Sequence, residues 1–217
     1  MSVLDTVLDR IDQDLDRSLD RLFSLLRIRS ISTDPAHRDE CRQAAEHLAR
    51  DLSSLGFDVS VRPTAGHPVV VGKGGNGEGP RALFYGHYDV QPVDPLDLWE
   101  TSPFEPRIKN LGGDRKAIVA RGACDDKGQL MTFVEACRAW KAVTGNLPLP
   151  ITFMVEGEEE CGGVRLGRGK ATGQYPDAAP AGRQRRRHDA VPREFPVGGH
   201  VQAGGRRVGR AGVEPAL

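Results

Sequence analysis

Three short clusters hold most of the residue types that perform chemistry in this chain. Gly86-His87-Tyr88-Asp89 offers an imidazole with a carboxylate two residues on. His87 can bind a metal through one ring nitrogen. Asp89, projecting to the same side of an extended chain, can hold the other nitrogen and fix its tautomer and orientation. Arg121-Gly122-Ala123-Cys124-Asp125-Asp126-Lys127-Gly128 places two carboxylates side by side. In Glu156-Gly157-Glu158-Glu159-Glu160 the carboxylates are closer still, and a bound cation would relieve their repulsion. Each cluster has a plainer reading by itself: a surface His beside a turn Asp, a pair of helix-capping carboxylates, a solvated acidic loop. Together they form an oxygen and nitrogen donor set, typical of catalytic rather than structural zinc. It holds enough carboxylates for two ions and a general base.

The elements that must position these clusters can be read from periodicity. Val3, Leu4, Val7, Leu8, Ile11, Leu15, Leu19, Leu22, Phe23 and Leu26 recur at steps of three and four, which predicts one long amphipathic helix. Ser30 to Pro35 interrupts it, and Asp34-Pro35 predicts the cap and first residue of a second helix that Gly56 ends. The period then changes. Strands are expected at Phe57–Val61, Pro68–Val71, Arg81–Tyr85 and Ala117–Ala120, and Gly72 to Gly79 reads as a flexible turn without the Lys-Ser/Thr ending of a phosphate loop. A helix is expected from Gln129 to Val143, with Leu130, Phe133, Val134, Cys137 and Trp140 inward. Ile151–Val155 is short and apolar throughout, as a buried parallel strand would be. Strands alternating with helices predict an α/β sandwich with a mostly parallel sheet, and all three clusters then fall where such sheets place their sites, at strand ends.

With clusters and elements in this order, the chain resembles the two-zinc metallopeptidases that include carnosinase, carboxypeptidase G, aminoacylase, acetylornithine deacetylase and succinyl-diaminopimelate desuccinylase. The patterns G-H-x-D-V, R-G-x-x-D-x-K-G and E-E-x-G stand here as Gly86–Val90, Arg121–Gly128 and Glu159–Gly162, with Trp99, Pro103, Phe104 and Pro106 between the first two. The resemblance implies that His87 binds one zinc, Asp125 bridges two, Glu160 binds the second, Glu159 is the general base, and Asp89 supports His87. It also implies a cis peptide between Asp125 and Asp126, two Zn2+ per complete site with Co2+ or Mn2+ as substitutes, and hydrolysis of an amide bond. Gly-His-Tyr-Asp-Val-Gln-Pro and Asp-Asp-Lys-Gly-Gln are closer to the dipeptidase branch than to the deacylase branches. A small peptide is therefore the expected substrate, with an N-acyl amino acid as the alternative.

The last 54 residues break the pattern. From Val164 to Leu217 there are ten Arg and one Lys against four acids, and Gly, Arg, Ala and Pro make up 33 positions. The net charge of zero for the whole chain therefore conceals +7 in this tail and −7 before it. Nine Leu, Ile, Val and Phe residues, with neither helical nor strand period, predict a disordered segment. Members of the resembled family continue with another acidic ligand, a small dimerising domain and a late His. Asp177, Asp189, His188 and His200 match none of these patterns. A G/C-rich gene read out of frame after Gly163 would give this composition, so the expectation is an N-terminal metallopeptidase part, 1–163, joined to an out-of-frame basic tail, 164–217. Weak or single-site zinc binding and little turnover would follow, with no family dimer. The rival reading is an inactive fragment whose Arg185-Arg186-Arg187 and Arg206-Arg207 bind nucleic acid or an acidic partner. No aromatic platform accompanies them, so nucleic acid is not the expected partner.

Cys41, Cys124, Cys137 and Cys161 form no C-x-x-C pair and read as reduced thiols. No run approaches the roughly 18 apolar residues of a membrane span, and the N-terminus lacks a secretory pattern, so the expected setting is cytoplasmic.

Overall fold

The computed structural model describes residues 2–77, 79–162 and 194–197. The long N-terminal amphipathic pattern forms two helices rather than one, α1 (Val3–Gln13) and α2 (Leu15–Leu26). Asp14 separates them at φ −97° and ψ 9°, where its carboxylate takes the Arg10 guanidinium at 2.5 Å. Asp is a poor interior helix residue because its short side chain competes for local partners, and periodicity alone does not register such a break. Asp34 caps the short 3-10 turn Pro35–His37 through the Ala36 N–H at 2.9 Å, and α3 (Arg38–Ser54) follows with Cys41, Ala44, Ala45, Leu48 and Leu52 buried.

The strands are β1 (Asp58–Arg62), β2 (Val69–Gly74), β3 (Ala82–His87), β4 (Arg107–Gly112), β5 (Arg115–Val119), β6 (Ile151–Glu156) and β7 (Glu194–Val197), with α4 (Lys127–Thr144) between β5 and β6. One sheet has the order β1-β2-β6-β3 and a second the order β4-β5-β7. The α/β class is as expected, but the first sheet is mixed where a mostly parallel one was predicted. β6 runs parallel to β3 and antiparallel to β2, and β1 is antiparallel to β2. A fully apolar strand reports burial on both faces and says nothing of its neighbours' directions.

Two further differences have local causes. β2 continues through Gly72 and Gly74, which read as turn residues, because the Phe57 ring lies against Gly74 where a Cβ would collide with it. The β4–β5 hairpin, turning at Gly113-Asp114, falls in a stretch from which only Ala117–Ala120 was expected as strand. The tail expected to be disordered lies outside the described residues except for 194–197, which pair antiparallel with β5.

Cross-strand register puts Val59, Gly72, Phe153 and Phe84 in one row on the face that α3 and α4 cover. Phe84 and Phe133 of α4 stack with centroids 4.4 Å apart, and Phe153 meets Phe57, Phe84 and Phe133 at 5.2–5.4 Å. The next row, Ser60, Val71, Met154 and Tyr85, belongs to the opposite face, where Leu83 is 65% exposed and Tyr85 49%. Arg21 of α2 and Arg138 of α4 both hold Glu135, and Arg138 also holds Asp51 of α3 at 2.5 Å, tying three helices together. No described helix is long and apolar enough to cross a membrane.

Candidate metal centre

β3 and β6 end side by side, so their last residues, His87 and Glu156, are register partners. The loop from β5 into α4 brings Asp125 and Asp126 against them, and the 3-10 turn Glu159–Cys161 follows β6 immediately. One ligand atom from each of His87, Asp125 and Glu160 lies within 4.8 Å of the others. His87 Nε2 is 3.1 Å from Asp125 Oδ1 and 3.9 Å from Glu159 Oε2. His87 is buried, Glu160 half-buried, and Asp125 and Glu159 exposed, so the cluster opens to solvent on its carboxylate side.

The other imidazole nitrogen, Nδ1, is 3.1 Å from the Asp89 main-chain oxygen and 3.3 Å from its Oδ1. Both neighbours are acceptors, so Nδ1 carries a proton; Nε2 donates to Asp125 while the ring is protonated, and on losing that proton it would offer its lone pair to an ion on the side of Asp125 and Glu160. Asp89 is wholly buried; its Oδ2 accepts from Ser32 Oγ at 2.6 Å and from the Glu160 N–H at 3.0 Å, while Oδ1 has only its 3.3 Å approach to His87 Nδ1 among the described residues. The peptide between Asp125 and Asp126 is cis, where the resemblance places one. Asp126 uses its Oδ2 to accept the His87 N–H at 3.0 Å and so fastens the loop to the end of β3.

Electrostatics show what this donor set lacks. Burial pulls His87 down, yet the Asp125 and Asp89 carboxylates outweigh it and push the imidazole up to about 11. Burial raises Asp126, Glu156 and Glu160 above the ordinary carboxylate range. A site that holds protons this firmly is short of positive charge, and a divalent cation supplies it at the Nε2 side. Imidazole nitrogen with carboxylate oxygens is the donor chemistry that catalytic zinc, cobalt and manganese accept, so the residues fit such an ion.

Several supporting residues carried no separate signal in the sequence. Tyr88, between the two key residues of its motif, points into the core and donates its hydroxyl to the Pro68 carbonyl at 2.6 Å. Its ring crosses Gly157 so closely that any Cβ there would collide with it, which accounts for the glycine inside the acidic run. Lys127 is fully buried and donates to the Leu25 and Ile28 carbonyls, 3.2 and 2.7 Å away, pinning the start of α4 to the end of α2; burial pulls its ammonium down to about 7. Ser30 and Ser32, expected only to interrupt a helix, form a strap beside β3: Ser30 Oγ donates to the Tyr88 carbonyl at 2.6 Å, and Ile31 bridges Val90. Arg121 stacks over Trp99 at 5.4 Å, and Gln91 donates to Glu160 Oε2 at 2.7 Å. Asp177, Asp189, His188 and His200 lie outside the described residues.

The chain is similar in sequence and fold to known proteins. The sequence is similar to the Cys-Gly metallodipeptidase dug1 of Schizosaccharomyces pombe, 31% identical over 174 residues, 75% of this chain and 36% of the relative. It is also similar to the β-Ala-His dipeptidase of Homo sapiens, 30% identical over 142 residues, 65% of this chain and 26% of the relative. The solved structure of human carnosine dipeptidase 1 superposes with a TM-score of 0.68 at 30% identity, covering 76% of this chain and 37% of that one. The chain thus spans about a third of the length of the relatives it matches. A family model matches residues 83–214, a span that starts on β3 and takes in every residue of the cluster, and on that match the chain belongs to peptidase family M20/M25/M40.

Proposed function

We propose that this chain carries the metal-binding and general-base residues of a metal-dependent dipeptide hydrolase. The observation that carries the reading is the convergence of His87, Asp125 and Glu160 within 4.8 Å, with Glu159 beside them, at the adjoining ends of β3 and β6. In this reading His87, Asp125 and Glu160 are ligands, Glu159 is the general base, and Asp89 orients His87. When bound, divalent ions of the zinc type lower the pKa of water and polarise a carbonyl. Glu159, exposed and within 3.9 Å of the imidazole, is free to take a proton from a water and return it to the leaving amine. Asp89 keeps the Nδ1 proton in place so that Nε2 stays a donor, and the buried walls limit solvent to one side. Three protein donors suit one ion, so the reading is weak or single-site binding, with Asp125 the residue that would be shared with a second ion. Zn2+ is the proposed ion, with Co2+ and Mn2+ as substitutes.

Dipeptides are the proposed substrates because the similar proteins are named for Cys-Gly and β-Ala-His. N-acyl amino acids are the second reading, resting on resemblance alone. The test is hydrolysis of Cys-Gly, β-Ala-His and an N-acetyl amino acid by the purified chain with Zn2+, Mn2+ or Co2+ added. Weak, metal-dependent cleavage of a dipeptide is expected. Failure to take up any divalent ion would sink the reading; preference for the acyl substrate would move it to the deacylase branch. A reducing, cytoplasmic setting belongs to the same reading, since all four cysteines are free thiols.

Over residues 164–217 composition and family match pull in opposite directions. The Arg, Gly, Ala and Pro content favours a change of reading frame after Gly163, and the family match running to residue 214 favours continuity. We keep the two-part reading as a proposal, and resequencing the coding DNA beyond codon 150 decides it. A second frame encoding strand-like segments and a late His is the expected result; its absence would end the frameshift account. Binding of nucleic acid or an acidic partner by the Arg runs concerns residues outside the described ones.

A further inference from the structure

Asp89 sits where three separate pieces of chain meet, and it meets the imidazole through its main-chain oxygen, 3.1 Å from His87 Nδ1, and through its carboxylate. Its Oδ1 lies 3.3 Å from His87 Nδ1, while Oδ2 accepts from Ser32 Oγ at 2.6 Å and from the Glu160 N–H at 3.0 Å. Asp89 is fully buried and Ser32 is 8% exposed, so water does not replace either donor readily. Ser32 is itself fixed: its main-chain oxygen pairs with His67 Nε2 at 3.1 Å, and the strap it belongs to bridges Val90 through Ile31. The Cys161 thiol also faces Ser32, on the far side of the turn that carries Glu160.

A buried carboxylate with two donors on one oxygen has its rotation about the Cβ–Cγ bond fixed. Here that rotation determines whether Oδ1 faces the imidazole, and the same Oδ2 holds the main chain of Glu160. We infer that Ser32 is a positioning residue of the metal centre, locking the Asp89 carboxylate so that His87, at the end of β3, and Glu160, in the turn after β6, keep their ligand atoms in the centre. The inference rests on the reading of His87 and Glu160 as ligands. Removing the hydroxyl leaves Oδ2 with one donor, frees the carboxylate to turn, and loosens both ligands together. Outer partners of ligating groups typically change metal affinity by about 10- to 100-fold, and a hydroxyl acting through Asp89 belongs at the lower end.

The experiment compares the full 217-residue chain with its Ser32→Ala, Ser32→Thr and Ser30→Ala variants. Zn2+ affinity is read by competition with a chromophoric chelator, the visible spectrum of the Co2+-loaded protein reports ligand geometry, and far-UV circular dichroism monitors folding. Ser30 is the control, a buried hydroxyl on the same strap that donates to the Tyr88 carbonyl rather than to the Asp89 carboxylate. About tenfold weaker Zn2+ binding and an altered Co2+ spectrum are expected for Ser32→Ala. Recovery to within about threefold is expected for Ser32→Thr, and binding within about twofold of the parent for Ser30→Ala. Equal affinity and spectrum in Ser32→Ala, or an equal loss in Ser30→Ala, would overturn the positioning role while leaving the metal-centre reading intact. If the parent chain takes up neither ion, the metal-centre reading falls first and the role of Ser32 with it. Should Ser32→Ala fail to fold, Ser32→Thr decides: a loss of ten times or more despite a native dichroism spectrum would count against the hydroxyl as the determining group.

Discussion

At the scale of single residues the candidate site divides work between groups that face solvent and groups that never meet it. Glu159 is exposed and Asp89 is not, although both are carboxylates within a few ångströms of the same imidazole. Glu159→Gln is therefore expected to leave Zn2+ affinity within about threefold while lowering turnover by roughly 10²- to 10⁴-fold, as loss of a general base does. Paired chelator competition and dipeptide assays check it, and unchanged turnover would remove Glu159 from the mechanism. Cys137 gives a pH signature away from the site. Burial pushes its thiol from 9.0 to about 11, so the folded protein retains a proton that the unfolded chain releases. Stability from this group is fully present below pH 9 and is lost as pH rises towards 11. Urea unfolding should therefore weaken between pH 9 and 11, and Cys137→Ala should flatten that decline. The ligand types were legible in the sequence because chemistry restricts them to few residue types. Ser32 and Lys127 were not, because nothing in a hydroxyl or an amine announces which buried carbonyl or carboxylate it will meet.

Elements were legible where one period ran uninterrupted and were missed where a tertiary contact set the boundary. α3, α4 and β6 follow from their own patterns. The extension of β2 through Gly74 depends on the Phe57 ring, which no local window contains; the Asp14 break is local, set by Asp14 and Arg10 four residues before it, but periodicity does not weigh it. Lys127 shows how one such contact joins elements, since its ammonium links the first turn of α4 to carbonyls at and just beyond the end of α2. The Ile28 and Ser30 N–H groups still donate to those carbonyls without it, so Lys127→Met is expected to cost only the lost hydrogen bonds, about 0.5–1.5 kcal/mol each. By the size scaling of thermal unfolding, a melting temperature lower by a few degrees should register it. A melting temperature equal to the parent's would mean that the two backbone donors suffice. Gly157→Ala should likewise lower the melting temperature, because the Tyr88 ring must move out of a packed core to admit a methyl group.

For the whole molecule, the sheet leaves one face with Leu83 and Tyr85 exposed, and β3 is its edge strand among the described residues. Apolar side chains on an edge strand promote pairing between chains. Concentration-dependent self-association is expected in sedimentation velocity, and Leu83→Lys should reduce it; a monodisperse monomer at high concentration would contradict this. Saturating Zn2+ should raise the melting temperature and a chelator should reverse the gain, since an ion that binds only the folded chain shifts the equilibrium by mass action. Strand order carries a last consequence, for synthesis rather than for the finished fold. β6 is made last of its sheet yet lies between β2 and β3, so β3 has no partner in that sheet until Ile151–Glu156 has been added. At translation rates of about 5–20 residues per second, the stretch from His87 to Ile151 takes roughly 3 to 13 seconds. Through that interval the nascent chain presents an apolar strand ending in the candidate ligand His87; Asp125 is added within it, but Glu160, in the turn after β6, does not yet exist.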